Sequence, residues 1–88
     1  MKLSRTSYKI GLDAKHDLWV ANLDSGDAAV EEFESRYREA AQALADKLDV
    51  TIQVVDTTYG SAHEHDKCDS DEEAVDMWQT IHDLATAR

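Results

Sequence analysis

The sequence predicts a small α+β domain, with element order β-β-α-β-α and a three-stranded antiparallel sheet in spatial order 2-1-3 carrying two helices on one face. Three observations predict it. A long apolar stripe at helical spacing runs from Asp27 to Leu48, a run of β-branched residues follows it directly, and a second helical stripe lies near the C-terminus.

The first strand is read over residues 6–12, where Tyr8, Ile10 and Leu12 alternate with Ser7, Lys9 and Gly11. That period of two is the mark of a half-buried strand. The polar stretch Asp13 to Asp17 is short enough to close a hairpin onto a second strand, Leu18 to Leu23. Trp19, Ala21 and Leu23 would form one face of that strand, and Leu18 and Val20 the other. Asp24-Ser25-Gly26 then breaks it.

The first helix is expected from Asp27, which can act as N-cap, with Glu31 and Glu32 in the first turns against the positive end of the helix dipole. Its core stripe is Val30, Phe33, Tyr37, Ala41, Leu44 and Leu48, at steps of three and four. The chain turns at Asp49, and Val50 to Val55 changes to a β-branched pattern of period two, the third strand. Residues 57–69, polar and aperiodic with Gly60 and Ser61, are read as a long exposed loop. Ser70 and Glu73 match a capping box ahead of the last helix, whose stripe is Ala74, Met77, Trp78, Ile81, Leu84 and Ala85.

Eighty-eight residues, 42% of them hydrophobic, suffice for one domain over residues 1–88 and are too few for two. Domains of this size gain from association, so a homodimer is compatible with it. The single cysteine, Cys68, excludes an intrachain disulfide and suits a reducing compartment. No apolar run nears the ~18 residues of a membrane span and the N-terminus has no signal-peptide core, which places the expectation in the cytoplasm.

Net charge is −10, concentrated after residue 23. Such a surface disfavours direct contact with nucleic acid or anionic membrane and favours a basic partner, cations or plain solubility. The acidic faces differ. On the first helix Glu32 with Arg36 and Glu34 with Arg38 are i,i+4 pairs that neutralise much of the outer face, leaving Glu39 and Asp46. On the last helix Glu72, Asp76 and Asp83 have Gln79 between them and no Lys or Arg before Arg88. An uncompensated carboxylate row can imitate a phosphate backbone. The sharpest functional expectation is therefore a non-enzymatic interaction domain, in concrete form a small acidic inhibitor of the DNA-mimic or anti-defence type. It would block the basic nucleic-acid-binding surface of another protein through Glu39, Asp46, Glu72, Asp76 and Asp83. The competing explanations are a solubility surface or salt adaptation, the latter favoured by 12 Asp against 7 Glu.

The alternative is binding or sensing of zinc or nickel through His63, His65, Asp66 and Cys68, with His16 or His82 as a further ligand. The spacing matches no standard zinc signature, and H-E-x-x-H is absent because only Glu64 separates the two histidines. Asp69, Asp71 and Glu73 open like a calcium loop, yet Ala74 stands where its glycine is required. Asp66, Asp69 and Asp71 around Cys68 oppose a reactive thiolate, so neither covalent catalysis nor any other reaction class is indicated. Trp19, Tyr37 and Trp78 sit at periodic apolar positions expected of a core.

Overall fold

The computed structural model describes residues 3–59 and 67–87. In chain order it contains β1 (Ser7–Leu12), α1 (Ala14–Val20), α2 (Asp27–Leu48), β2 (Thr51–Asp56) and α3 (Glu72–Thr86). The mixed α+β class holds, but the expected sheet does not. Among the described residues the sheet has two strands, β1 and β2, paired in parallel from Ser7 opposite Thr51 to Leu12 opposite Asp56.

The missing strand is α1. Ala14, Asp17 and Leu18 are its buried residues, spaced i, i+3, i+4, which is a helical face and not an alternating one. The Asp13 carboxylate accepts from the His16 backbone N–H at the N-terminus, as an N-cap does. At the other end Asn22 adopts a left-handed φ of 59°. Asn22 N–H donates to the Trp19 carbonyl and Leu23 N–H to the Leu18 carbonyl, the paired bonds of a Schellman closure. With a helix in place of a strand, the chain between β1 and β2 is a two-helix crossover. Such a connection supports a parallel pair, whereas the antiparallel arrangement rested on a hairpin that does not form.

α2 buries Val30, Phe33, Tyr37, Ala41 and Leu44, with Leu48 packed at the margin of the core. Gly26, not Asp27, occupies its N-cap position. Its C-terminus repeats the Schellman pattern, with Asp49 at φ 55° and Val50 N–H donating to the Ala45 carbonyl. β1 turns Tyr8, Ile10 and Leu12 into the core, where they are completely or almost completely buried. Ile52 and Val54 of β2 pack against the same cluster, as do Ala74, Met77, Ile81 and Ala85 of α3. Trp78 is only partly buried and Leu84 is 54% exposed, so the stripe of α3 is narrower than its periodicity implies.

The capping box does not form. Asp71 is the N-cap residue of α3, without a side-chain cap bond. Glu73 instead accepts from the Ser4 backbone N–H, the Ser4 hydroxyl and the Tyr8 hydroxyl, tying the N-terminal segment to α3. Arg5 bridges to Asp71 at 2.7 Å beside it and lies 4.5 Å above the Tyr8 ring.

Candidate cleft between α1, β1 and α3

Asp69 covers the outer edge of β1. Its N–H donates to the Lys9 carbonyl at 2.8 Å, and its carboxylate accepts from the Lys9 N–H at 2.7 Å. This doubly bonded anchor supplies two partners to a strand edge that would otherwise present unpaired groups. It also carries the neighbouring Cys68 over Gly11. An ideal Cβ on Gly11 would lie 2.9 Å from the Cys68 Sγ, so the thiol occupies space that only a glycine leaves open. On the other side of β1, Thr57 is buried and both its N–H and its hydroxyl donate to the Leu12 carbonyl.

These contacts shape a cleft of about 500 Å³. Ile10, Val20, Ala74, Val75 and Trp78 give it apolar walls. Asp13, Asp17 and Asp69 are its carboxylates, and His16 and His82 also line it. Val20 and Val75 are 63% and 51% exposed, leaving an apolar rim open to the outside.

Asp17 is the least expected of these residues. It is 8% exposed, its Oδ2 has no hydrogen-bond partner among the described residues, and His82 Nδ1, likewise without one there, stands 3.8 Å away. That separation is beyond a hydrogen bond but within range for an ion pair. His16 Nδ1 lies 4.0 Å from the other carboxylate oxygen. Burial raises the Asp17 pKa; His82 and His16 oppose that rise, and Asp13 adds to it. The His82 ring is held by Trp78, stacked at 5.1 Å between centroids, and by the edge-on ring of Phe33 at 6.2 Å. Below the cleft the Tyr37 hydroxyl donates to the Gly11 carbonyl at 2.8 Å. Burial, followed by the Asp17 and Cys68 charges, pushes the Tyr37 pKa well above its ordinary value, so this phenol is a fixed donor.

The expected partner-binding residues lie elsewhere. Glu39, Asp46, Glu72, Asp76 and Asp83 are all exposed, and among the described residues none has an ion-pair partner. Gln42 donates to Asp46 and Gln79 to Asp83, holding two of these carboxylates in place without neutralising them. Glu32 does pair with Arg36, at 2.7 Å; Arg38 turns to Asp56 at 3.9 Å and not to Glu34. Burial and then the Asp56 charge raise the pKa of Glu34, with Arg38 offsetting part of that rise. Trp19, expected in the core, is 71% exposed, as a residue on the outer side of a helix can be.

Of the expected metal ligands, His63, His65 and Asp66 lie outside the described residues. Cys68 is half-buried and shares the cleft with His16 and His82. Among the described residues, however, no three His, Cys, Asp or Glu side chains are grouped closely enough to hold an ion. Nor is any described helix long and apolar enough to cross a membrane.

Sequence reasoning missed Asp17 and undervalued His82. One signal was available: read as a helix, residues 14–20 place Asp17 on the same face as Ala14 and Leu18, a carboxylate in an apolar stripe. Compared with family models, curated proteins and solved structures, the chain matches none.

Proposed function

We propose that this chain is a non-enzymatic interaction domain that binds a basic partner through the outer side of α3. The most concrete form of that reading is a small acidic inhibitor covering the nucleic-acid-binding surface of another protein. The observation that carries it is the row Glu72, Asp76 and Asp83, exposed and without an ion-pair partner among the described residues. At ~1.5 Å per residue the row extends about 16 Å along the helix, a length over which several phosphates of a duplex recur. At about 100° per residue it lies opposite the buried stripe, with Val75 and His82 of the cleft between the two. An apolar recess beside an acidic ridge matches a surface with basic residues around an apolar or amphipathic contact.

The reading is tested by capturing partners from the native host with the wild-type chain and with Asp76→Lys/Asp83→Lys, at low and high salt. A captured protein is then assayed for displacement from DNA. The expected result is capture that weakens steeply with salt and is lost on charge reversal while the circular dichroism spectrum is unchanged. Equal capture by the variant would overturn the reading.

A further inference from the structure

The cleft differs from a simple apolar groove because a buried carboxylate is set in its wall. Among the described residues, Asp17 has one oxygen without a hydrogen bond, and the cationic groups nearest it are the two histidines, at 3.8 and 4.0 Å, neither a permanent charge. No Lys or Arg lines the cleft among the described residues, and Asp13 and Asp69 add to its negative sign. A desolvated carboxylate is costly when unpaired and is stabilised by a cation that brings its own hydrogen bonds. The walls around it are apolar, so the complementary group has an apolar stem and a cationic head.

We propose that the cleft receives an arginine side chain of the basic partner, with the guanidinium on the Asp17 carboxylate and the stem along Val20, Val75 and Trp78. This inference rests on the interaction reading above and names the anchor of that contact. Arginine fits better than lysine for three reasons. Its charge is permanent, its planar fork meets a carboxylate through two N–H groups at once, and it is less strongly hydrated and so easier to bury. Arginine is also among the residues that most often dominate protein interfaces from a central pocket. The groups facing the incoming cation are Asp13, Asp17 and Asp69, which attract it, and His16 and His82, which repel it when protonated.

The test is a titration followed by amide and indole NMR, with N-acetyl-arginine amide as the probe and N-acetyl-norleucine amide as its uncharged counterpart. Saturable movement of the Trp78 indole resonance is expected with the arginine probe only. Asp17→Asn should weaken that binding by about tenfold or more. Should Asp17→Asn fail to fold, Val75→Trp, at an exposed rim position, should fill the cleft and abolish the shift. Equal shifts from both probes, or an arginine affinity unchanged by Asp17→Asn or by Val75→Trp, would overturn the inference. The two proposals fail separately. If the arginine probe does not bind while partner capture stays sensitive to salt and to Asp76→Lys/Asp83→Lys, the cleft assignment falls and the interaction reading stands. Capture indifferent to salt and charge reversal removes the interaction reading in its own assay.

Discussion

His82 Nδ1 stands 3.8 Å from Asp17 Oδ2, and among the described residues neither atom has a hydrogen-bond partner. The pair joins α1 to α3 in the lining of the cleft, and its carboxylate is held at a raised pKa, chiefly by burial. A carboxyl that holds its proton more tightly folded than unfolded contributes stability at low pH, which is lost as pH rises through its folded-state value. Wild type and Asp17→Asn should therefore differ in a pH-dependent way. Their difference in urea midpoint should fall as pH rises out of the ordinary carboxylate range, with the Asn variant relatively more stable at neutral pH. A difference that is flat across this range would remove the assigned burial effect.

Glu73 should show the opposite slope. Its pKa is lowered, first by the Ser4 hydroxyl, then by the Ser4 N–H, with smaller help from Tyr8 and Arg5. Its contribution is present above the unfolded carboxylate value and disappears as pH falls through the lower folded one. Glu73→Gln should lose stability at neutral pH and little in acid, and the same comparison of midpoints reads it. The variant should also loosen the segment before β1, seen as faster amide exchange at Ser4. Unchanged exchange there would show that Glu73 does not hold that segment.

Tyr37 ties the middle of α2 to β1 through the 2.8 Å bond from its hydroxyl to the Gly11 carbonyl. Phenylalanine keeps the ring and its tilted contact with Phe33 at 5.9 Å, so Tyr37→Phe isolates the hydrogen bond. Loss of about 1–2 kcal/mol in chemical denaturation is expected, the cost of leaving a partly buried carbonyl without its donor. A loss near zero would mean that another donor or water reaches Gly11.

Much of the scaffold was legible because its signals are local. The stripe of α2 needs only steps of three and four, the β-branched run after Asp49 needs only composition, and Tyr8, Ile10 and Leu12 alternate as a strand should. Residues 18–23 failed because Leu18, Trp19, Val20 and Ala21 are apolar on every side, a pattern that fits a buried strand or a helix equally. The deciding marks were Asp13 as N-cap, masked by a short polar stretch that looked like a turn, and Asn22 as a left-handed terminator, which fell inside the expected strand. Losing α1 reversed the sheet's sense as well, since strand direction depends on what connects the strands. The cleft was beyond reach for another reason. Asp17, Cys68 and His82 come from separate segments, and only the pairing of Asp69 with Lys9 and the packing of α3 bring them to one place.

Gly11 and Cys68 fit closely in that assembly. A methyl group at Gly11 would stand 2.9 Å from Sγ, closer than packed atoms sit, although 3.8 Å from the Cys68 Cβ is ordinary contact. The thiol must therefore swing away while its Cα stays. Gly11→Ala should cost about 1 kcal/mol or somewhat more, as overpacking does. Cys68→Ala removes the obstructing sulfur, so the second substitution should recover most of that cost in the double variant. The coupling should fall in the range of about 0.5–3 kcal/mol seen for residues in contact. Displacement of the thiol should also raise its rate of reaction with a disulfide reagent in Gly11→Ala. Additive stabilities together with an unchanged thiol rate would place Cys68 away from Gly11, and with it the segment that closes this side of the cleft.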